Sequence, residues 1–218
     1  MRDRRDICVI GLGSFGSAVA RELARMGDRV TGIDRDPARI AALDGQIDAV
    51  MQADATDARV LGHAGVGNFD SVIVAIGDDM QSSLLATLAV TEAGAADVHV
   101  KAQTPEHARI LGAMGVAKLL QPEQSFALQF ARLLHNPNMV DFLDLGGGQS
   151  VACVVAPASA NCRALADLHL SRFDLSCIAI DIGERLITSD LESHALAVTD
   201  RLILAGSRAD LHRFSAVG

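Results

Sequence analysis

The chain has 218 residues, half of them apolar, and a formal net charge of −8. That length suits one large domain, or a standard domain with a small one, and needs no metal or disulfide staple to fold. The acidic balance and the lack of Trp and Tyr argue against a platform for single-stranded nucleic acid, which stacks bases on aromatics beside a basic groove.

From the N-terminus, "MRDRRD" leads directly into a strand pattern with no apolar leader, and no apolar run reaches the roughly 18 residues of a membrane span. The expected product is cytoplasmic and reaches a membrane only by docking there. Six short apolar runs then read as strands, at 7–10, 29–33, 49–52, 71–76, 98–102 and 118–120. They are partly β-branched, as strands buried on both faces should be. Helical patterns fall between them. One spans 14–26, with Gly27 placed to stop it. Asp36-Pro37 and Thr104-Pro105 each pair an N-cap residue with Pro at the first helical position. A further helix reads from 81 to 92. Such alternation implies a parallel sheet with right-handed crossovers.

After residue 120 the pattern changes. A helix reads from about 122 to 135, stopped by Asn136-Pro137, and Gly146, Gly147 and Gly148 then mark a flexible turn. The last 70 or so residues hold "VACVVA", "CRALADL", "SCIAIDIGERLIT", "DRLILAG" and a closing helix "ADLHRF", with a hairpin turn expected at Gly183-Glu184. The fold class is therefore α/β: a Rossmann-like doubly wound parallel sheet, 1–136, followed by a small α+β domain, 137–218. Cys8, Cys153, Cys162 and Cys177 form no C-x-x-C pair and read as reduced, buried thiols.

Chemistry concentrates in "ICVIGLGSFGSAVA". Gly11, Gly13 and Gly16 form G-x-G-x-x-G between a strand and a helix. The first allows the tight turn, the second admits a pyrophosphate to the backbone, and the third lets helix and strand pack closely. The helix N-terminus offers free N–H groups and the positive end of its dipole to phosphate. Asp34 ends the second strand, where a carboxylate accepts hydrogen bonds from ribose hydroxyls. That points to an adenine nucleotide, and the acidic group disfavours a 2′-phosphate. No H-E-x-x-H, Walker lysine or G-x-S-x-G occurs. His169, His194 and His212 fall in no known constellation, so the sequence presents a nucleotide site without a catalytic residue.

The segments "ICVIGLGSFGSAVARELARMGDRVTGIDRD", "QADATD", "SVIVAIGDDMQSSLLATLAV" and "VHVKAQTPEHARILGAMGVAKLLQPE", followed by the α+β segment, resemble the cytoplasmic regulatory subunit of Ktr/Trk bacterial potassium uptake systems, an RCK (TrkA-N/TrkA-C) module. The resemblance runs over nearly the whole chain. It implies a non-enzymatic protein whose N-lobe binds ATP, ADP or NAD(H). It further implies homodimers that assemble into an octameric ring on the cytoplasmic face of a membrane potassium channel subunit. Potassium enters from this resemblance alone.

Carried over by position, the resemblance implies that Gly11, Gly13, Ser14, Phe15 and Gly16 lie under the phosphates. Asp34 holds the ribose with Arg35 beside it, and Asp54, Ala55 and Thr56 lie along the adenine. Ala75, Ile76 and Gly77 form the floor. Lys101 and Glu123 approach the phosphates at a dimer seam, where Glu123 is the candidate ligand for a bridging Mg, Na or Ca ion. Many relatives carry Arg where this chain has Ser14, which leaves the choice among ATP, ADP and NAD open, since a hydroxyl supplies no charge-assisted fork. A C-lobe site for cyclic di-AMP is not carried over. An NAD-dependent oxidoreductase of Rossmann type and a regulator of a different transporter remain the alternatives.

Overall fold

The structure is a computed structural model and describes residues 4–216. The chain divides after Glu123 into two compact units, one helix earlier than the sequence pattern suggests.

The first unit holds a six-stranded parallel sheet. Its strands are β1 (Asp6–Ile10), β2 (Arg29–Asp34), β3 (Ala49–Gln52), β4 (Ser71–Val74), β5 (Val98–Lys101) and β6 (Lys118–Leu120), in the spatial order β3-β2-β1-β4-β5-β6. The side-chain period of two sends alternate residues of β1 to opposite cores. Cys8 and Ile10 join Val72, Val74 and Val100 under helices α4 (Met80–Glu92) and α5 (Pro105–Ala113). Ile7 and Val9 join Val30, Ala20 and Leu43 under α1 (Ser14–Arg25) and α2 (Pro37–Leu43). Helices thus cover both faces, and the strand order reverses between β1 and β4, where open α/β sheets leave a crevice.

Local chemistry sets the helix starts. The Asp36 carboxylate accepts from Ala38 N with Pro37 in the first turn, Asp79 accepts from Gln81 N and Ser82 N, and Thr104 Oγ1 accepts from His107 N. Each bond satisfies an orphan N–H at a helix start and is worth about 1 kcal/mol. An unanticipated helix, α3 (Ala58–His63), is capped by Asp57 and buries Leu61. At six residues it is too short to show a helical period.

The second unit is an antiparallel sheet in the order β10-β9-β11-β8-β7, made of β7 (Met139–Gly146), β8 (Gln149–Val155), β9 (Ser176–Asp181), β10 (Leu186–Ile187) and β11 (Arg201–Ser207). Gly146, Gly147 and Gly148 all have positive φ and close the β7–β8 hairpin. β7 itself is a mostly exposed edge strand that the sequence pattern did not single out. The hairpin turn at Gly183 is present, with φ of 86°. Ala152, Val154, Leu202 and Leu204 pack under α7 (Arg208–Ser215) through Leu211 and Phe214. α6 (Pro122–His135) starts at the end of the first unit and runs into the second.

All four cysteines are free. Burial pushes the Cys8 thiol up to about 12 and makes it inert. Cys153 and Cys177, also expected inside, are half-buried, and Cys162 is exposed with φ of 61° because it sits in a turn.

Candidate nucleotide site

The glycine loop is built by close approach. Gly11 has φ of 90°, donates its N–H to Ile33 O at 2.8 Å, and leaves no room for a side chain, since a Cβ would lie 2.8 Å from Ile76 N. A Cβ on Gly16 would run into the Gly11 carbonyl oxygen, so the third glycine is what lets α1 pack on β1. Gly13 is different. Its nearest neighbour to a Cβ is Arg39 Nη1 at 3.8 Å, so this glycine leaves open backbone instead of relieving a clash. Gly13 is also the N-cap of α1 and makes no side-chain cap bond. The helix start therefore presents its N–H groups at Ser14, Phe15 and Gly16 uncapped, which favours an anion.

Asp34 is buried at the end of β2. Its Oδ2 accepts from Leu12 N at 2.6 Å and its Oδ1 from Asp36 N at 2.9 Å. The carboxylate thus ties the glycine loop to the start of α2. A carboxylate has about four acceptor sites, so capacity remains for a hydroxyl. Arg35 beside it is exposed. The loop after β3 is held by its own Asx turn. Asp54 Oδ1 accepts from Thr56 N at 3.0 Å and from Thr56 Oγ1 at 2.7 Å, and those bonds lower its pKa. Ala55 is buried beneath. Ala75 N donates to Ile10 O at 2.7 Å, which keeps the end of β4 level with β1, and the Gly77 carbonyl accepts from the Gln103 side chain.

One crevice at the C-terminal edge of the sheet gathers Gly11, Asp34, Arg35, Asp54, Ala55, Thr56, Ile76 and Gly77. Gly13, Ser14, Phe15, Gly16 and Ala75 belong to the loop and strand end beside it. Lys101 is buried at the end of β5, with Nζ 5.6 Å from the Phe15 ring centroid and 2.5 Å from Glu123 Oε1. A Cβ on Gly77 would lie 3.3 Å from that Nζ. Lys101 therefore links the glycine loop, the crevice floor and the first turn of α6. The Lys101 ammonium lowers the pKa of Glu123, whose side chain is otherwise exposed. Among the described residues, no three His, Cys, Asp or Glu side chains cluster as a metal site.

The crevice also contains Arg39, Asp78, Asp79 and Ser82, which sequence reasoning did not nominate. Asp78 and Asp79 follow Gly77 directly in "VAIGDD", and that adjacency is a readable signal. Arg39 carries none, because only the turn of α2 brings it over the loop.

An open parallel sheet with this strand order, a glycine loop after β1 and a carboxylate at the end of β2 defines a Rossmann-type dinucleotide-binding fold. The chain belongs to the TrkA-N domain family, which it matches over residues 7–122. It is 32% identical over 212 residues to Ktr system potassium uptake protein C of Bacillus subtilis (strain 168), covering 97% of this chain and 96% of that one. To Ktr system potassium uptake protein A of Vibrio alginolyticus it is 29% identical over 208 residues, covering 95% and 94%. Among solved structures, the GsuK RCK domain superposes with a TM-score of 0.66 at 18% identity, covering 98% of this chain and 48% of that one. The GsuK channel bound to NAD gives 0.58 at 24% identity, covering 99% and 39%. The chain spans half or less of those two structures, and the likeness to them establishes the RCK fold.

Proposed function

We propose that the chain is the nucleotide-sensing regulatory subunit of a potassium uptake system and has no catalytic role of its own. The observation that carries this is the match of 32% identity across nearly all of both chains with a Ktr system potassium uptake protein. The uncapped start of α1 beside the Asp34 carboxylate supports the crevice as the sensing site. In this reading Gly11, Gly13, Ser14, Phe15 and Gly16 receive the phosphates, Asp34 and Arg35 the ribose, and Asp54, Ala55 and Thr56 the adenine. Ala75, Ile76 and Gly77 underlie the ligand, and Lys101 meets its terminal phosphates. The ligand is ATP, ADP or NAD(H). A channel of this fold has been solved with NAD.

Exposed apolar residues support assembly with further copies. α6 presents Phe126, Leu128, Phe130 and Leu134, and α4 and α5 present Leu85, Leu88 and Ile110. Apolar faces of this kind mark association surfaces, consistent with a homodimer building an octameric ring. A Mg, Na or Ca ion on Glu123 would take its remaining ligands from the nucleotide or a second copy. No helix among the described residues is long and apolar enough to cross a membrane. In this reading the chain works on the cytoplasmic face through a membrane channel subunit, and nucleic acid has no part.

The test is to release and identify the nucleotide from freshly purified chain, then to measure nucleotide-dependent potassium flux with the channel subunit in vesicles. Bound adenine nucleotide and a flux that changes with it are expected. Steady turnover of NADH with a small metabolite, and no effect on flux, would overturn the proposal in favour of an oxidoreductase.

A further inference from the structure

The guanidinium of Arg39 lies across the crevice. Nη1 is 3.4 Å from Asp34 Oδ2 and Nη2 is 2.9 Å from Asp78 Oδ2, so one side chain bridges the end of β2 to the loop after β4. Nε adds a longer contact to Asp36 at 3.7 Å. The same Nη1 stands over Gly13, the glycine that leaves open backbone for a pyrophosphate. With Arg39 in this position the crevice encloses about 50 Å³, against the roughly 300–1,000 Å³ of small-molecule sites. A nucleotide that brings its ribose to Asp34 and its phosphates to Gly13 therefore meets the Arg39 guanidinium at both places.

The Asp34 bonds decide which contact yields. Its bonds to Leu12 N and Asp36 N hold the loop, and giving them up would orphan backbone donors. The Arg39 contact, at 3.4 Å, is the long one and can pass to a ribose hydroxyl. Freed from Asp34, the guanidinium remains beside Gly13, with the Asp78 carboxylate as its other partner, in a loop whose own side chain there is Ser14 and carries no charge.

We propose that Arg39 is a nucleotide-responsive strap. It bridges Asp34 and Asp78 until a ribose takes Asp34, then turns onto the diphosphate and supplies the charge-assisted fork that the glycine loop lacks. This rests on the crevice being a nucleotide site. It names the ligand class more narrowly, as an adenosine carrying at least two phosphates, and it assigns that selectivity to α2 rather than to the loop.

Calorimetry on the full chain tests it with ADP and adenosine as probes. Arg39→Ala should weaken ADP at least tenfold while adenosine binds as well as to wild type, or better. Arg39→Gln, which keeps the stem and loses the charge, should give the same split. Asp78→Asn should tighten ADP severalfold by removing the guanidinium's rival partner. ADP affinity unchanged in both Arg39 variants would overturn the strap. So would ADP and adenosine weakening together, which would make Arg39 only a support for Asp34. A wild type that binds neither probe would overturn the nucleotide reading itself, and the strap with it.

Discussion

The two sheets bury their strands in different ways. β1 of the first unit is closed on both faces along nearly its whole length, whereas β8 of the second alternates buried and half-buried residues, and β7 beside it is mostly open. A parallel sheet covered on both faces has only its edges and strand ends for polar work. In the first unit the glycines, carboxylates and Arg39 accordingly collect at the C-terminal ends of β1 to β4. The sheet of the second unit spreads its exposed apolar residues, Leu143, Leu145, Ile178 and Leu186, over several strands, which suits contact with another surface more than a small ligand. One unit gathers its polar groups at a point and the sheet of the other spreads its exposed apolar groups, so single substitutions should weigh very differently in each.

The sharpest break should come at glycine. Gly16→Ala puts a Cβ into the Gly11 carbonyl oxygen, a backbone atom that cannot turn aside. α1 must then lift off β1. Overpacking of well-packed positions costs about 1–3 kcal/mol, and a backbone clash belongs at the upper end, so a loss of about 3 kcal/mol in urea melts is expected, with nucleotide binding abolished. Gly147→Ala in the β7–β8 turn meets nothing within 4 Å and faces only its φ of 60°. A left-handed conformation costs a non-glycine residue about 1–2 kcal/mol, and nucleotide binding should be untouched. Equal losses at the two positions would dissolve the contrast between the units.

The next effect is at two buried aspartates. Asp34→Ala removes the acceptor for Leu12 N and Asp36 N as well as any ribose contact. We expect about 2 kcal/mol of lost stability from the orphaned donors together with at least a tenfold loss of nucleotide affinity. Asp200 of the second unit is the matched control. It is equally buried, accepts from Ala197 N at 2.9 Å, and lies 3.3 Å from His194 Nε2. Asp200→Ala should cost comparable stability in thermal melts and leave ADP affinity where it was. Full stability in Asp34→Ala would mean that its backbone bonds are dispensable.

These positions also mark how far sequence reasoning reaches. The six strands of the first unit were legible because each is a short apolar run between turn residues, and the caps at Asp36 and Thr104 were legible because Pro follows them. The glycine loop and Asp34 stood out by spacing, yet the structural duty of Asp34 toward Leu12 did not, because it depends on a three-dimensional turn. Arg39 was invisible for the same reason, since its partners Asp34 and Asp78 come from the end of β2 and from the loop after β4. The second unit was harder throughout. β7 has no buried face to set a period, and the chain turns there at Cys162, His169, Asp174 and Asp190 with positive φ, residues that announce a turn far less clearly than glycine does.

The smallest expected effect is a pH dependence specific to the first unit. His107 is fully buried at the third position of α5, and its Nδ1 accepts from Gln103 N at 3.3 Å. Burial lowers its pKa below the ordinary 6.5, so the folded chain holds it neutral where the unfolded chain would protonate it. Below pH 6.5 the unfolded state binds the extra proton, and stability falls as pH falls toward the folded pKa, by no more than about 1.4 kcal/mol per pH unit for one group. Above pH 6.5 the term is flat. The side chain of Gln103 reaches the Gly77 carbonyl on the crevice floor, so protonating His107 should also loosen that floor. His107→Gln preserves an acceptor able to reach back to the backbone, as Gln does in a capping box, and cannot titrate. Between pH 7.5 and 5.5 the wild type should lose more melting temperature than the variant, and ADP affinity should fall in the wild type alone. Parallel pH profiles in the two proteins would place the acid sensitivity elsewhere and leave His107 as packing.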